Sequence, residues 1–189
     1  MKKTIAIVVG VILVGVAVIL GIAATKPDVS HVERSVMIKA APAQIHPHIN
    51  DYRNWKVWSP WEKVDPNMKR SFSGAEKGVG SKYAWVGNGD VGEGDMEIIS
   101  SEPEKIVINL HFVKPFEGMS KAIFTMQPEG EATKVTWAMD SDSPFPCKVM
   151  QVFMNMDECC GKEFEKGLVS LKTAAEKPDT AKTAIKDNG

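Results

Sequence analysis

The chain has 189 residues, of which 43% are hydrophobic and 25% are charged, with a formal net charge of −1. This length fits one domain with short accessory segments, because domains commonly span about 100–200 residues. Without Lys2 and Lys3 the remainder is mildly acidic, which is not the basic surface expected of a nucleic-acid-binding domain.

The first accessory segment is an uncharged apolar run at residues 4–24, which reads TIAIVVGVILVGVAVILGIAA. Its length matches a helix across a hydrocarbon core of about 30 Å, so we predict a single-pass transmembrane anchor. Lys2 and Lys3 precede the run, and the positive-inside tendency then places the N-terminus in the cytoplasm and the domain on the periplasmic side. A cleaved signal peptide is the alternative, although its apolar stretch is normally shorter, about 7–15 residues.

The segment after the anchor predicts one strand followed by short helices. Apolar and polar residues alternate in HVERSVMIKA, residues 31–40, as they do in a strand. Residues 41–49 predict a helix that Pro47 ends early, because proline has no backbone N–H. A second helical turn is expected over DYRNWKVW and must end before Pro60, which restricts the residue that precedes it.

The rest of the domain predicts an antiparallel sheet and one long helix. Six segments of strand composition succeed one another at hairpin distances; they are 68–72, 81–87, 94–100, 105–113, 120–127 and 133–140. From Lys148 to about Ala175 the apolar residues recur every three or four positions, which predicts an amphipathic helix of about seven turns. The fold class is therefore α+β, with the helix buried against the sheet.

These elements give the chain a simple organisation. Residues 177–189 form a C-terminal tail with few apolar side chains to bury, and this tail is expected to be disordered. The predicted segments are a cytoplasmic N-terminus at residues 1–3, a transmembrane anchor at 4–24, a linker at 25–30, the domain at 31–176 and the tail at 177–189.

An ordered set of motifs resembles a known superfamily. The set includes WSPW at residues 58–61, GVGSKYAWVGN at 78–88, VGEGDMEI at 91–98 and FEKGL at 164–168. Together they resemble the SRPBCC superfamily, in its polyketide cyclase/dehydrase-type group with START-like, helix-grip folds. The resemblance implies a curved antiparallel sheet wrapped around the C-terminal helix, with an apolar cavity that binds lipids or other hydrophobic compounds. The resemblance identifies no catalytic residue in this chain.

Strand alternation and helix periodicity predict which side chains face that cavity or its rim. Methionines suit a deformable lining, because the thioether side chain adapts to irregular apolar shapes. The predicted ligand-binding residues are Trp55, Trp58, Trp61, Tyr83, Trp85, Met96, Ile108, Leu110, Phe112, Phe124, Trp137, Met150, Phe153 and Met154.

Other candidate sites have a simpler structural interpretation. Glu93, Asp95 and Glu97 share one strand face, which is typical of a solvated sheet surface. His46 and His48 lack the third and fourth ligands that a metal site needs, and no metal or cofactor is predicted. The glycine-rich segment 87–94 opens no helix, so we interpret it as a tight turn in which GNG supplies positive φ. The three cysteines are too few for a disulfide framework and are expected to be buried thiols, although a pairing with Cys147 stays open.

Three functions remain open at this stage. The first is a membrane-anchored domain that binds a hydrophobic small molecule or lipid. The second is an enzyme of the cyclase or dehydratase type, for which Tyr83 is the best candidate acid or base. The third is an envelope protein-interaction module with a vestigial pocket. No nucleic-acid partner is expected, and no protein partner can be named.

Overall fold

A computed structural model describes residues 2–177. The predicted tail therefore lies almost wholly outside the described residues. The helices are α1 Lys2–Ala24, α2 Pro42–Asn50, α3 Trp55–Trp58, α4 Phe145–Met150 and α5 Met156–Ala175. The strands are β1 Val29–Ile38, β2 Lys69–Gly74, β3 Ser81–Val86, β4 Glu93–Glu102, β5 Lys105–Lys114, β6 Gly118–Glu129 and β7 Ala132–Asp142.

The seven strands form one antiparallel sheet in the order β1-β7-β6-β5-β4-β3-β2. Consecutive strands from β2 to β7 are hairpin neighbours, as their short connections predict. β1 pairs instead with β7, so that the first and last strands lie side by side at one edge. The register of β4 against β5 shifts between Ile98 and Ser100, and such bulges bend and twist a sheet.

Helix α5 packs along β1 and also contacts β7, α2 and α3. Its buried residues recur at helical spacing; they are Gly161, Phe164, Gly167, Leu168, Leu171 and Ala175. The helix begins with a capped turn, because the Asn155 side chain accepts a hydrogen bond from the Asp157 N–H at 3.1 Å. The curved antiparallel sheet and its C-terminal helix form the predicted helix-grip arrangement.

The prediction of one helix from Lys148 to Ala175 was wrong in its extent. Two helices, α4 and α5, are separated by residues 151–155. Asn155 has an extended backbone that caps α5, so the helix cannot continue through it from the N-terminal side. The Gln151 side chain donates to the Ser143 hydroxyl at 2.9 Å and ties the end of α4 back to its start.

Pro47 does not end α2, contrary to the sequence-based expectation. The helix continues to Asn50, with Ile45 and Ile49 fully buried. Side-chain donors from the following segment satisfy its last carbonyls: Asn54 bonds to the Pro47 carbonyl, Trp58 to that of His48 and Trp55 to that of Ile49. These tertiary bonds and the buried face offset the hydrogen bond that Pro47 removes.

The turn at residues 87–92 also differs in detail from its prediction. Positive φ occurs at Gly92 (φ 72°) and not within GNG. A side chain at position 92 would meet the backbone of Lys114, so both conformation and space require glycine there. Asn88 instead shapes the turn, since its side-chain oxygen accepts from the N–H groups of Asp90 and Val91.

Candidate functional site

Aromatic rings fill the space between the sheet and α5. Trp137 of β7 stacks on Phe164 of α5, with ring centroids 4.2 Å apart and planes within 3°. Phe124 of β6 lies 5.0 Å from Trp137, and Trp58 of α3 meets the edge of both rings at 5.6–5.9 Å. Edge-to-face and offset contacts of this kind stabilise a packed aromatic core. We call the cluster of Trp55, Trp58, Phe124, Trp137 and Phe164 the aromatic interior.

The three tryptophans of the WSPW region hold different positions. Trp55 and Trp58 are buried, and both indole N–H groups donate to α2 carbonyls, at 2.9 and 2.8 Å. Trp61 follows Pro60 in a 3₁₀ turn and is half-buried. Its ring packs edge-on against Trp137 at 5.6 Å and Phe164 at 6.1 Å. Trp61 therefore covers the aromatic interior from the solvent side.

A second row of side chains extends the apolar face along β3, β4 and β5. Tyr83 and Trp85 stack at 6.0 Å, and the edge of Phe112 meets Trp85 at 5.9 Å. Met96 and Ile108 are buried, whereas Leu110 and Phe112 are half-buried. Eight of the predicted site residues thus lie in the buried core, and Trp61, Leu110 and Phe112 flank it.

The three remaining predicted site residues lie elsewhere. Met150, Phe153 and Met154 are in and after α4, with 38%, 69% and 47% of their surface exposed. They belong to a different surface because the break before Asn155 turns this segment away from the buried face of α5. The structure does not bring them together with the aromatic interior.

Two buried polar groups near the aromatic interior have no protein hydrogen-bond partner. They are the Tyr52 hydroxyl and the Trp137 indole N–H, in residues that are 2% and 3% exposed. Burial, with a smaller contribution from Glu97, raises the pKa of Tyr52, which keeps the phenol neutral. Most buried polar groups in proteins are hydrogen-bonded, so this pair is unusual. Sequence reasoning missed Tyr52, although its spacing of three from Trp55 places both on one side of a helical turn.

Tyr83 belongs to a satisfied polar network. Its hydroxyl donates to Glu62 Oε1 at 2.6 Å, and the guanidinium of Arg70 donates to Glu62 Oε2 at 2.7 Å. The side chain of Glu62 is only 7% exposed. Burial and the Glu62 hydrogen bond raise the pKa of Tyr83, so this phenol is a donor at neutral pH. Glu62 lies outside the segments whose hydrophobic pattern predicts a helix or strand, and it was not among the predicted site residues.

Two surface concavities lie outside the aromatic interior. The first has a volume of about 640 Å³ and lies between the chain leaving α1 and residues 151–157; its wall includes Lys26, Val29, His31, Phe153 and Met154. The second, of about 250 Å³, lies beside α2, with His46, Asn50 and Lys77 in its wall. Neither wall includes a member of the aromatic interior. The packed rings of the aromatic interior occupy the place of the predicted internal cavity in this conformation.

The predicted acidic face is a solvated sheet surface. Glu97 pairs with Lys82 at 3.2 Å, Glu93 with Lys114 at 2.7 Å and Asp95 with His111 at 3.1 Å. Within residues 2–177, no three His, Cys, Asp or Glu side chains are grouped as metal ligands.

The three cysteines are free thiols, and their predicted burial is only partly correct. Cys147 and Cys160 are half-buried, but Cys159 is exposed. Burial raises the pKa of the Cys160 thiol.

Comparison with protein families agrees with this architecture. The family model described as "Polyketide cyclase / dehydrase and lipid transport" matches residues 30–176. The chain belongs to this family. The match covers every strand except the first residue of β1, together with α2 to α5, and leaves out α1.

Solved structures share the fold of this family member at low sequence identity. A protein from Chromobacterium violaceum has a TM-score of 0.56 at 14% identity, over 80% of this chain and 99% of its own. The Aha1 dimer from Colwellia psychrerythraea has a TM-score of 0.56 at 18% identity, over 79% of this chain and 98% of its own. CalU16 from Micromonospora echinospora has a TM-score of 0.51 at 14% identity, over 84% of this chain and 90% of its own. No curated protein sequence matches the chain.

In this member of the polyketide cyclase/dehydrase family, aromatic rings fill the space between the sheet and α5. A ligand in that position has to displace or reorient some of them. Trp61 is the ring best placed to move, because it is half-buried and its 3₁₀ turn is only three residues long.

Proposed function

We propose that the protein is a membrane-anchored domain that binds a hydrophobic small molecule or lipid between its sheet and α5. The observation that carries this proposal is the pair of unpartnered polar groups, the Tyr52 hydroxyl and the Trp137 N–H, beside an otherwise apolar aromatic interior. Small-molecule sites combine such apolar walls with a few polar groups that orient the ligand. Family membership supports the same function at a coarser level.

The two polar groups restrict the chemistry of the ligand. An indole N–H can only donate, whereas a phenol can donate or accept. The ligand is therefore a largely apolar compound with at least one hydrogen-bond acceptor, such as a carbonyl or ether oxygen. It reaches the interior past Trp61, which covers Trp137 and Phe164 from the solvent side.

Helix α1 supports the membrane part of the proposal. It has 23 residues, an apolar sequence and almost entirely exposed side chains. We propose that it crosses the cell membrane with Lys2 and Lys3 on the cytoplasmic side and the domain outside. The intact mass of protein extracted from membranes separates this anchor from a cleaved leader, since cleavage removes α1.

The ligand proposal is tested with the full chain and its Tyr52→Phe variant. Both proteins are purified in mild detergent, released from micelles in a native mass spectrometer, and examined for retained apolar compounds. We expect a defined compound on the natural protein and less of it on Tyr52→Phe, which keeps the ring and removes only the hydroxyl. The free energy of unfolding of Tyr52→Phe should not fall, because the lost hydroxyl has no protein partner.

The same experiment has outcomes that contradict the proposal. Equal retention by Tyr52→Phe would remove the hydroxyl from the binding site. A natural protein with no retained compound, and no saturable binding of a long-chain fatty acid added to it, would leave a packed core without a ligand function.

An enzyme is the second candidate, because Tyr83, Glu62 and Arg70 form a partly buried polar network on the same side of the sheet. Each group in that network already has a partner, which favours a structural role. A retained compound that changes mass on incubation with the natural protein would favour the enzyme. A compound recovered unaltered supports a carrier.

A further inference from the structure

Exposed apolar side chains are concentrated around the break between α4 and α5. We call residues 145–156 the α4–α5 segment. Phe145, Met150, Phe153 and Met154 are 48%, 38%, 69% and 47% exposed. Four large apolar side chains within ten positions form a patch of the kind that marks an interaction surface on a soluble domain.

The α4–α5 segment lies directly beside the end of α1. The two helices α1 and α4 are in contact, and Ala23 near the end of α1 is fully buried. The Asp28 carbonyl accepts from the Ser143 N–H at 2.8 Å, and the Asp28 carboxylate pairs with Lys148. The Lys148 side chain is only 12% exposed. The connection from α1 to β1 is therefore fixed to α4 and is not a free tether.

The other elements extend away from this end of the domain. β1 and α5 run in the same direction, since Arg34 bonds to Asp157 early in α5 and Lys172, near its end, donates to the Met37 carbonyl. Val169 lies 13 positions after Met156, about 20 Å farther along α5 at 1.5 Å per residue. It is 59% exposed, so it is an apolar side chain of similar exposure at a remote position.

A second loop with an exposed aromatic residue lies at the same end of the sheet. The pairings Phe112 with Gly118, Ser120 with Ser141 and Ser141 with Ser30 connect the β5–β6 turn to the start of β1. Phe116 in that turn is 60% exposed. The three most exposed aromatic side chains, Phe116, Phe145 and Phe153, therefore share the end of the domain from which α1 leaves.

We propose that the α4–α5 segment is a second membrane contact, which lies in the interface of the bilayer that α1 crosses. The inference rests on the proposed anchoring by α1. Interfacial segments bury apolar side chains about 5–10 Å into the headgroup and acyl boundary, which suits Phe153 and Met154. The occupant of the patch is the bilayer because the patch is continuous with a helix whose own apolar surface requires lipid. The domain is then held in one orientation, with the 640 Å³ groove facing the headgroups.

The test places a photoreactive amino acid, p-benzoylphenylalanine, at one position at a time in the full chain. The positions are those of Phe153, of Val169 as the remote apolar control, and of Leu13 within α1 as the anchor control. Each protein is reconstituted in vesicles of phosphatidylcholine and phosphatidylglycerol, irradiated and analysed for lipid adducts by mass spectrometry. We expect adducts at 13 and 153, with the yield at 153 several-fold above that at 169.

Each outcome separates the second contact from the anchor. Adducts at 13 without adducts at 153 overturn the second contact and leave the anchor intact. Adducts at 153 without adducts at 13 overturn the anchor and, with it, the inference that rests on α1. Equal yields at 153 and 169 overturn the contact, as does an adduct at 153 to a protein when the experiment is repeated in native membranes. Absence of lipid adducts at all three positions overturns both ideas.

Discussion

The aromatic interior and the α4–α5 segment are built from the same kinds of side chain but are packed in opposite ways. Trp58, Phe124 and Phe164 in the interior are fully buried, and each ring contacts other rings. In the α4–α5 segment, Phe153 and Met154 leave most or half of their surface exposed. Composition alone therefore does not distinguish a core from an interaction surface.

The difference between the two regions comes from what surrounds them. The interior lies between a sheet and a helix that both require burial of an apolar face. The α4–α5 segment has the chain emerging from α1 on one side and no other element over Phe153 in the described residues. Changes in the interior should therefore alter stability, while changes at the exposed side chains Phe153 and Met154 should alter membrane contact and leave stability nearly unchanged.

The largest expected effect on stability is that of Trp58→Ala. Trp58 is fully buried, meets Trp55, Phe124 and Trp137, and donates to the His48 carbonyl. Removal of a large core aromatic side chain costs about 3–5 kcal/mol, so the free energy of unfolding should fall by that amount. Urea unfolding of the full chain in detergent, followed by near-ultraviolet circular dichroism, measures the change.

Val57→Ala is the matched control for Trp58→Ala, because Val57 is the preceding residue of α3 and is 49% exposed. A surface change of this kind should stay within about 0.5 kcal/mol. A loss below about 1 kcal/mol for Trp58→Ala would contradict a tightly packed interior, since packed cores do not tolerate such a deletion.

A smaller effect is expected for Gly167→Ala, which tests how closely α5 approaches the rings. A methyl group at position 167 would lie 2.9 Å from Trp137 and 3.1 Å from Pro60, and neither ring can swing away as the end of a flexible side chain can. Overpacking costs about 1–3 kcal/mol, which outweighs the roughly 1 kcal/mol that alanine gains over glycine in a helix. The free energy of unfolding should therefore fall by about 1 kcal/mol.

Gly161→Ala, on the same helix, is the matched control. The atoms nearest to its methyl group would belong to the guanidinium end of Arg34, which can move at the expense of its partly exposed ion pairs with Asp157 and Glu165. We expect no loss of stability there. If the two variants behave alike, helix propensity and not contact with the rings controls both positions.

The strands could be predicted because their signal is local. Each alternates along its own length and ends at turn residues, so the six predicted strands after residue 60 all occur, with ends displaced by at most two residues. The continuation of α2 through Pro47 could not be predicted in this way. It depends on side chains of Asn54, Trp55 and Trp58 that bond to carbonyls several residues earlier.

The candidate site shows the same limit of local patterns. Strand alternation identified Tyr83, Trp85, Phe124 and Trp137 as inward-facing, and all four are buried or nearly so. Periodicity alone also assigned Phe153 to that face, because it cannot detect that Asn155 interrupts the helix. Glu62 was missed since a lone acid in the sequence reveals nothing of its partners, the buried Tyr83 and the half-buried Arg70.

The smallest expected effect is an opposite pH dependence of stability at two histidines, one beside each region. The hydrogen bond that the His31 ring donates to the Asp140 carboxylate raises the pKa of His31, in the groove beside the α4–α5 segment. Burial lowers the pKa of His48, whose carbonyl bonds to Trp58. His31 thus binds its proton more tightly in the folded chain, whereas His48 binds its proton more tightly in the unfolded chain.

The opposite pKa shifts of His31 and His48 predict different slopes of the free energy of unfolding against pH. The stabilisation from His31 is complete below its unfolded pKa of about 6.5 and is lost as the pH rises through its higher folded pKa. His48 has no effect on stability above about pH 6.5, and it destabilises the fold as the pH falls from there toward its lower folded pKa. His31→Gln should therefore flatten the curve of unfolding free energy above pH 6.5, and His48→Gln should flatten it below that pH. The His31 effect should stay under about 1 kcal/mol, because the pair with Asp140 is exposed and screened. Identical slopes in the two variants would mean that neither histidine senses the environment in which the structure places it.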